Sequence, residues 1–218
     1  MVPLDCADRA GRARSISTAA SAARRGDIVL VPTESSYALA TDAFSVRGVR
    51  SIRWAKGQPS SVPLPVMVPS VMTVGGIAVG IPDQARDLMT AFWPGGLTLL
   101  LAPQPTLAWD LPPNAPIAVR MPLHPVLLEL LDATGPLVVT GANAAGMSPP
   151  LTVDEAVGQL GEAWTVALDA GPLGDHPVST VVDASAGASS PLVVRRIGAV
   201  SLEDLRAICP HMQDDDIR

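Results

Sequence analysis

Short aliphatic runs, three to five residues long and each breaking into a polar turn, recur along this chain and limit what it can fold into. Ile28–Val31, Leu64–Val68, Leu97–Leu101, Ile117–Arg120, Leu137–Val139, Trp164–Leu168, Ser179–Val182 and Leu192–Arg195 read as strands by length and β-branching. Segments of helical period stand between them. Ser15–Arg25 ends at Gly26, and the polar turn Pro32–Tyr37 passes into a helix carrying Val46, Val49 and Ile52 on one stripe. Further helices are expected near Ser70–Ile77, at Asp83–Phe92 and at His124–Leu131, from a Thr152/Glu155 capping box to Leu160, and from Ser201 onward. Strands and helices alternate without a strict βαβ rhythm. The pattern predicts an α/β fold: a single domain with a twisted, mixed parallel and antiparallel sheet and flanking helices. Pro65 would confine its strand to an edge. Residues 1–210 are expected to form the domain, and residues 211–218 an acidic C-terminal tail that frays at Asp214–Asp216.

Aromatic residues make up only 3% of the chain, so the core has to be aliphatic. No apolar run reaches the roughly 18 residues of a membrane helix, and Asp5 and Asp8 precede any apolar stretch, unlike a secretory signal. A cytoplasmic protein without membrane contact is expected. Cys6 and Cys209 lie at opposite ends without metal-ligand spacing and read as reduced thiols, and neither His124 nor His176 has a second histidine or cysteine nearby. Net charge is −6, with nine basic and five acidic residues up to position 56 and six basic and 16 acidic beyond it. That split suits a local anion site on an acidic protein and argues against direct RNA binding over a broad face.

Lys56 is the only lysine; the other 14 basic residues are arginines. A compact ammonium among guanidiniums is a candidate phosphate contact. Polar turns follow several strands: Thr33 to Tyr37, Gly141 to Asn143, and Ser179–Thr180 leading into Val181, with Arg120 and Arg196 at strand ends. Gathered at one rim of a sheet, they would hold an anion or nucleotide by hydrogen bonds and charge, without a covalent nucleophile. Spacing alone goes no further, because any α/β protein has polar strand-end turns.

Seven segments, in order, carry a resemblance: Val31 to Tyr37, Ala55 to Pro59 with Pro63–Leu64, Phe92 to Gly95 with Leu97–Thr98, Ala118 to Pro122, Gly141 to Asn143 with Gly146, Ser179 to Asp183, and Arg196 to Gly198. Together they resemble the YrdC-like family across roughly residues 15 to 206. The resemblance implies a twisted sheet curved around a large concave cavity, and a nucleotidyltransferase that condenses L-threonine, bicarbonate and ATP into L-threonylcarbamoyladenylate. That product would feed N6-threonylcarbamoyladenosine formation in tRNA, with downstream tRNA-modification proteins as partners. Carried over residue by residue, the resemblance implies that Lys56 and Arg196 contact the ATP phosphates and act catalytically. Gly141 and Asn143 would lie at the nucleotide, Thr33, Arg120 and Ser179 would hold the amino acid, and Tyr37 would line the same cavity. Mg2+ on the phosphates is expected from the resemblance alone.

Five positions depart from the family pattern: Gln58 stands for an arginine, Gly141 for a serine, Met67 for a histidine, and Ala38 and Ala40 for glycines. The first two together remove about 2 to 4.5 kcal/mol of hydrogen bonding. Arg53, three residues before Lys56, is expected to share its helix face and partly replace the missing cation. Two alternatives stay open: a relative forming a carbamoyl adenylate with another amine, and a non-catalytic binder of nucleotide or RNA.

Overall fold

The computed structural model describes residues 2–174 and 176–215. Its elements in chain order are β1 (Leu4–Asp5), α1 (Arg9–Arg24), β2 (Val29–Pro32), β3 (Tyr37–Asp42), α2 (Val46–Lys56), β4 (Val66–Met67), α3 (Val71–Ile77), β5 (Ala78–Val79), α4 (Asp83–Phe92), β6 (Leu97–Pro103), β7 (Ile117–Arg120), α5 (Pro125–Thr134), β8 (Leu137–Gly141), α6 (Val153–Leu160), β9 (Val166–Asp169), β10 (Thr180–Asp183), β11 (Val193–Arg196), α7 (Leu202–Ile208) and β12 (Gln213–Asp214). One mixed sheet runs β1, β9, β2, β3, β8, β4, β7, β6, β10, β11, β12, with β5 added to β6. No helix among the described residues is long and apolar enough to cross a membrane.

The α/β reading holds, with three local corrections. The turn at residues 33–36 closes a hairpin and does not lead into a helix, because β3 pairs antiparallel with β2 and β8. Both faces of β3 are buried: Tyr37 and Leu39 join the larger core, Ala38 and Ala40 the smaller one. A strand covered on both sides shows no polar alternation, so the sequence hid it. Second, β4 lies inside the sheet, parallel to β7 and antiparallel to β8. Pro65 precedes the ladder and only its carbonyl is used, accepting from Val139 N at 2.9 Å. Third, Asp214 does not fray: β12 pairs parallel with β11, and Arg206 donates to its carboxylate at 2.8 Å. Residues 216–218 lie outside the described residues.

Packing follows from side-chain size. Ala19, Ala20, Ala22 and Ala23 of α1 share a core with Ala38 and Ala40 of β3 and with Leu127, Leu130 and Leu131 of α5. Small residues on both partners let the helix approach the sheet closely, which raises contact density without aromatic bulk. Local signals set the ends of α2. The Ser45 hydroxyl accepts from Gly48 N at 3.1 Å, and Gly57 closes the helix at φ 61°. Thr152 caps α6 as expected, but the Glu155 carboxylate accepts from Leu151 N, not from the N–H of Thr152.

A buried hydroxyl knots the turn after β11. Thr180 Oγ1 donates to Val200 O at 2.6 Å and accepts from Gly198 N at 2.8 Å and Val200 N at 3.0 Å. A Cβ at residue 198 would lie 2.1 Å from Val178 O, so the turn admits only glycine. Thr180→Val would strand three backbone groups, two of them buried, and is expected to cost about 2 to 4 kcal/mol. Thermal unfolding should show a midpoint lowered by roughly 4 to 16 °C.

His124, at the start of α5, has a buried Nδ1 without a hydrogen-bond partner among the described residues. Burial, and then the positive charge of Arg12, push its imidazole below the ordinary value. The unfolded chain therefore takes up this proton first as pH falls, and stability drops as pH falls below about 6.5. His124→Asn is expected to flatten the melting profile between about pH 6.5 and 5.

Candidate active site

Alternation along the strands decides which side chains can meet a ligand. Leu39, Val66, Leu97, Leu99, Val119 and Val138 point into the larger core. Their sequence neighbours Ala38, Met67, Thr98, Arg120 and Val139 therefore share the opposite face. There a cavity of about 190 Å3 opens, lined by these five and by Thr33, Ser35, Ser36, Pro65, Thr140, Gly141, Val178, Ser179 and Arg196. The site thus joins one sheet face to the strand ends around it, with the β2–β3 turn as a wall. Its lining carries six hydroxyls and two guanidiniums and no Asp, Glu, His or Cys. That composition binds anions and polar groups and offers no nucleophile paired with a base.

Arg120 is 8% exposed. Its Nε donates to Gly95 O at 2.8 Å, its Nη2 donates to the Glu34 carboxylate, and the other Glu34 oxygen accepts from Leu123 N at 3.2 Å. Burial, and then the positive charge of Arg196, push the Arg120 guanidinium down to about 10, which leaves it cationic at neutral pH. Glu34 against it favours the charged form further. Arg196 grips Ser179, donating from Nη2 to the backbone oxygen at 2.9 Å and to Oγ at 3.2 Å. Thr98 Oγ1 donates to the same Ser179 Oγ at 2.9 Å. Thr33 Oγ1 donates to Ser36 O at 2.7 Å and accepts from Ser36 N at 3.1 Å, which fixes the turn.

Of the residues expected from sequence, Thr33, Arg120, Gly141, Ser179 and Arg196 meet in this lining, whereas Lys56, Asn143 and Tyr37 stand outside it. Lys56 Nζ donates to Gly141 O and, at 2.7 Å, to Asn143 O, so the last turn of α2 is tied to the loop after β8. Burial pushes its ammonium below the ordinary value. The Asn143 amide donates to Ala144 O at 3.2 Å and Met147 O at 3.1 Å. A Cβ at residue 141 would lie 2.7 Å from Asn143 Oδ1, so Gly141 and this amide orientation go together. Tyr37 is fully buried; its hydroxyl donates to Gly171 O at 2.8 Å and accepts from Ala170 N at 3.0 Å, away from the cavity.

Arg53 does not replace the missing cation. It shares the buried side of α2 with Lys56 but is consumed elsewhere, donating to Asp110 Oδ2 at 3.2 Å and to Pro59 O at 3.0 Å. Gln58 keeps a buried Oε1 with no hydrogen-bond partner among the described residues. The sequence reading took in Ser35 and Ser36 only as part of the polar turn and missed Thr98 and Thr140 as lining residues. Thr98 carried a usable signal, being the one polar residue inside the run Leu97 to Ala102.

Comparison with known proteins places this geometry. The Sua5/YciO/YrdC family profile, described as "Telomere recombination", matches residues 21–197. A Mycobacterium tuberculosis protein provisionally named a threonylcarbamoyl-AMP synthase is 40% identical over 205 residues, covering 94% of this chain and 93% of its own. The threonylcarbamoyl-AMP synthase of Bacillus subtilis is 32% identical over 199 residues, and the match spans 88% of this chain but 56% of that longer one. Among solved structures, Pyrococcus abyssi Sua5 complexed with L-threonine superposes with a TM-score of 0.88 at 28% identity, over 99% of this chain and 63% of that one. With a profile match across most of its length and a relative 40% identical over 94% of it, the chain belongs to the Sua5/YciO/YrdC family.

Proposed function

We propose that this chain is a nucleotidyltransferase that forms L-threonylcarbamoyladenylate from L-threonine, bicarbonate and ATP and releases pyrophosphate. The observation that carries the reading is the cavity itself: about 190 Å3, two guanidiniums, six hydroxyls and no carboxylate, on the fold of a relative solved with L-threonine. That volume is below the roughly 300 to 1,000 Å3 of drug-sized ligand pockets and suits an amino acid, with the nucleotide lying outward. The adenylate would serve N6-threonylcarbamoyladenosine formation in tRNA, handed on to tRNA-modification proteins.

Each step forms one bond and asks for alignment of anions. The uncharged threonine amine attacks the carbon of CO2 derived from bicarbonate, losing a proton to solvent and leaving a carbamate. A carbamate oxygen then attacks the α-phosphorus, the bond from that phosphorus to the bridging oxygen breaks, and pyrophosphate leaves. Arg120 takes the amino-acid carboxylate through N–H groups not used by Gly95 and Glu34, and Ser179 and Thr33 orient the rest. Arg196 stands at the cavity mouth, where it meets phosphate charge that grows as pyrophosphate departs. Lys56 has three N–H donors and spends two on the loop carbonyls, so one remains for a phosphate oxygen while Asn143 stays in place.

Mg2+ is proposed to arrive with the phosphates. The cavity lining holds no carboxylate, and among the described residues no cluster of three or more His, Cys, Asp or Glu could hold a metal. The donor set does not fit a protein-held ion.

Pyrophosphate release from ATP and bicarbonate, assayed across amino acids, tests the reading. Threonine-dependent turnover is expected in the wild type. Lys56→Ala should lower it roughly 10- to 150-fold, the loss of one charged hydrogen bond. Gln58→Arg, which removes the unpartnered carbonyl and adds a cation, should raise it by about tenfold. Release that ignores threonine, or none at all, would sink the proposal.

A further inference from the structure

Glu34 sits between two lining residues, Thr33 and Ser35, and stands behind the cavity wall against Arg120. Its carboxylate is spent entirely within the protein, one oxygen on Arg120 and the other on Leu123 N at 3.2 Å. Its side chain is 14% exposed, and that of Arg120 10%. The pair therefore lies where water screens charge poorly. Gly95 O and Glu34 occupy two of Arg120's five N–H groups from one side. Among the described residues no protein group accepts from Nη1, so that edge of the fork is held open for a ligand.

The charge balance follows. Arg120 and Arg196 line one small cavity, each adding a full positive charge. Glu34 cancels one of them. With Arg196 assigned to phosphate, the Arg120 fork is the one cation that meets the amino acid; it matches a single carboxylate, and a second would enter with no cation left and with Glu34 against it.

We propose that Glu34 determines specificity at the amino-acid site, fixing the Arg120 fork and cancelling its charge so that the cavity selects amino acids with one carboxylate over those with two. This inference rests on the amino-acid reading given above. It assigns the acidic residue of the β2–β3 turn a role in rejecting aspartate and glutamate as well as in orienting Arg120.

The test uses the full chain and two substitutions. Glu34→Gln keeps the shape and removes the charge, whereas Glu34→Asp keeps the charge on a shorter side chain. Calorimetric titration with L-threonine and with L-aspartate gives the ratio of their dissociation constants. In Glu34→Gln the preference for threonine over aspartate is expected to shrink about tenfold, and in Glu34→Asp it should stay near the wild-type value. An unchanged preference in a folded Glu34→Gln overturns the proposal. If that variant does not fold, Glu34→Asp decides: a weakened preference overturns the proposal, and a retained one beside a raised KM for threonine supports it. Acetate and succinate are titrated in parallel. Should the wild type fail to bind threonine, the amino-acid reading falls, while the monocarboxylate preference still judges the charge matching by itself.

Discussion

A guanidinium in the middle of a sheet needs its partners before the sheet can close around it. Arg120 ends a strand whose Ile117 and Val119 belong to the aliphatic core, and its guanidinium is held from two other segments, one of them tied in turn to a third. Gly95 comes from the turn between α4 and β6, Glu34 from the β2–β3 hairpin, and Leu123, reached through Glu34, from the link into α5. Gly95 and Glu34 lie 25 and 86 residues from Arg120 in sequence. One ionic contact therefore checks that three turns have reached their places, and the cavity is the space they leave. Removing any one partner would leave a buried charge with its hydrogen bonds unmet, which costs more than the contact gains when intact.

The same arrangement explains how a site without a nucleophile can run a condensation. Two anions, a carboxylate and a polyphosphate, must be brought together against their mutual repulsion, and fixed cations do this without reorganising during the reaction. The hydroxyl network from Thr98 through Ser179 to Arg196 holds the outer cation by its neighbours' hydrogen bonds, so its position does not depend on the ligand.

How much of this was legible beforehand depended on whether a signal was local. Aliphatic runs, caps and glycine stops gave the α/β class and most helix limits, because each is set by residues a few positions apart. Strand β3 escaped because alanines on one face and Tyr37 and Leu39 on the other leave no polar alternation to read. Strand β4 was put at an edge by Pro65, whereas only the ladder position of a proline's missing N–H matters. Arg53 shows the limit of helical spacing as an argument. It lies on the expected side of α2, yet a loop more than fifty residues away claims it through Asp110. Tyr37 was assigned to the cavity by its place in a motif; its hydroxyl belongs to the turn after β9, a contact across more than 130 residues that no local pattern encodes.

The tie between Lys56 and the carbonyls of Gly141 and Asn143 has a practical side. Since the chain carries no other lysine, a reagent selective for side-chain ε-amines has a single address in the whole protein. Its rate of acylation would report how often the α2 terminus lets go of the loop after β8. The molecule thus contains its own one-residue gauge of loop opening, with no label to engineer.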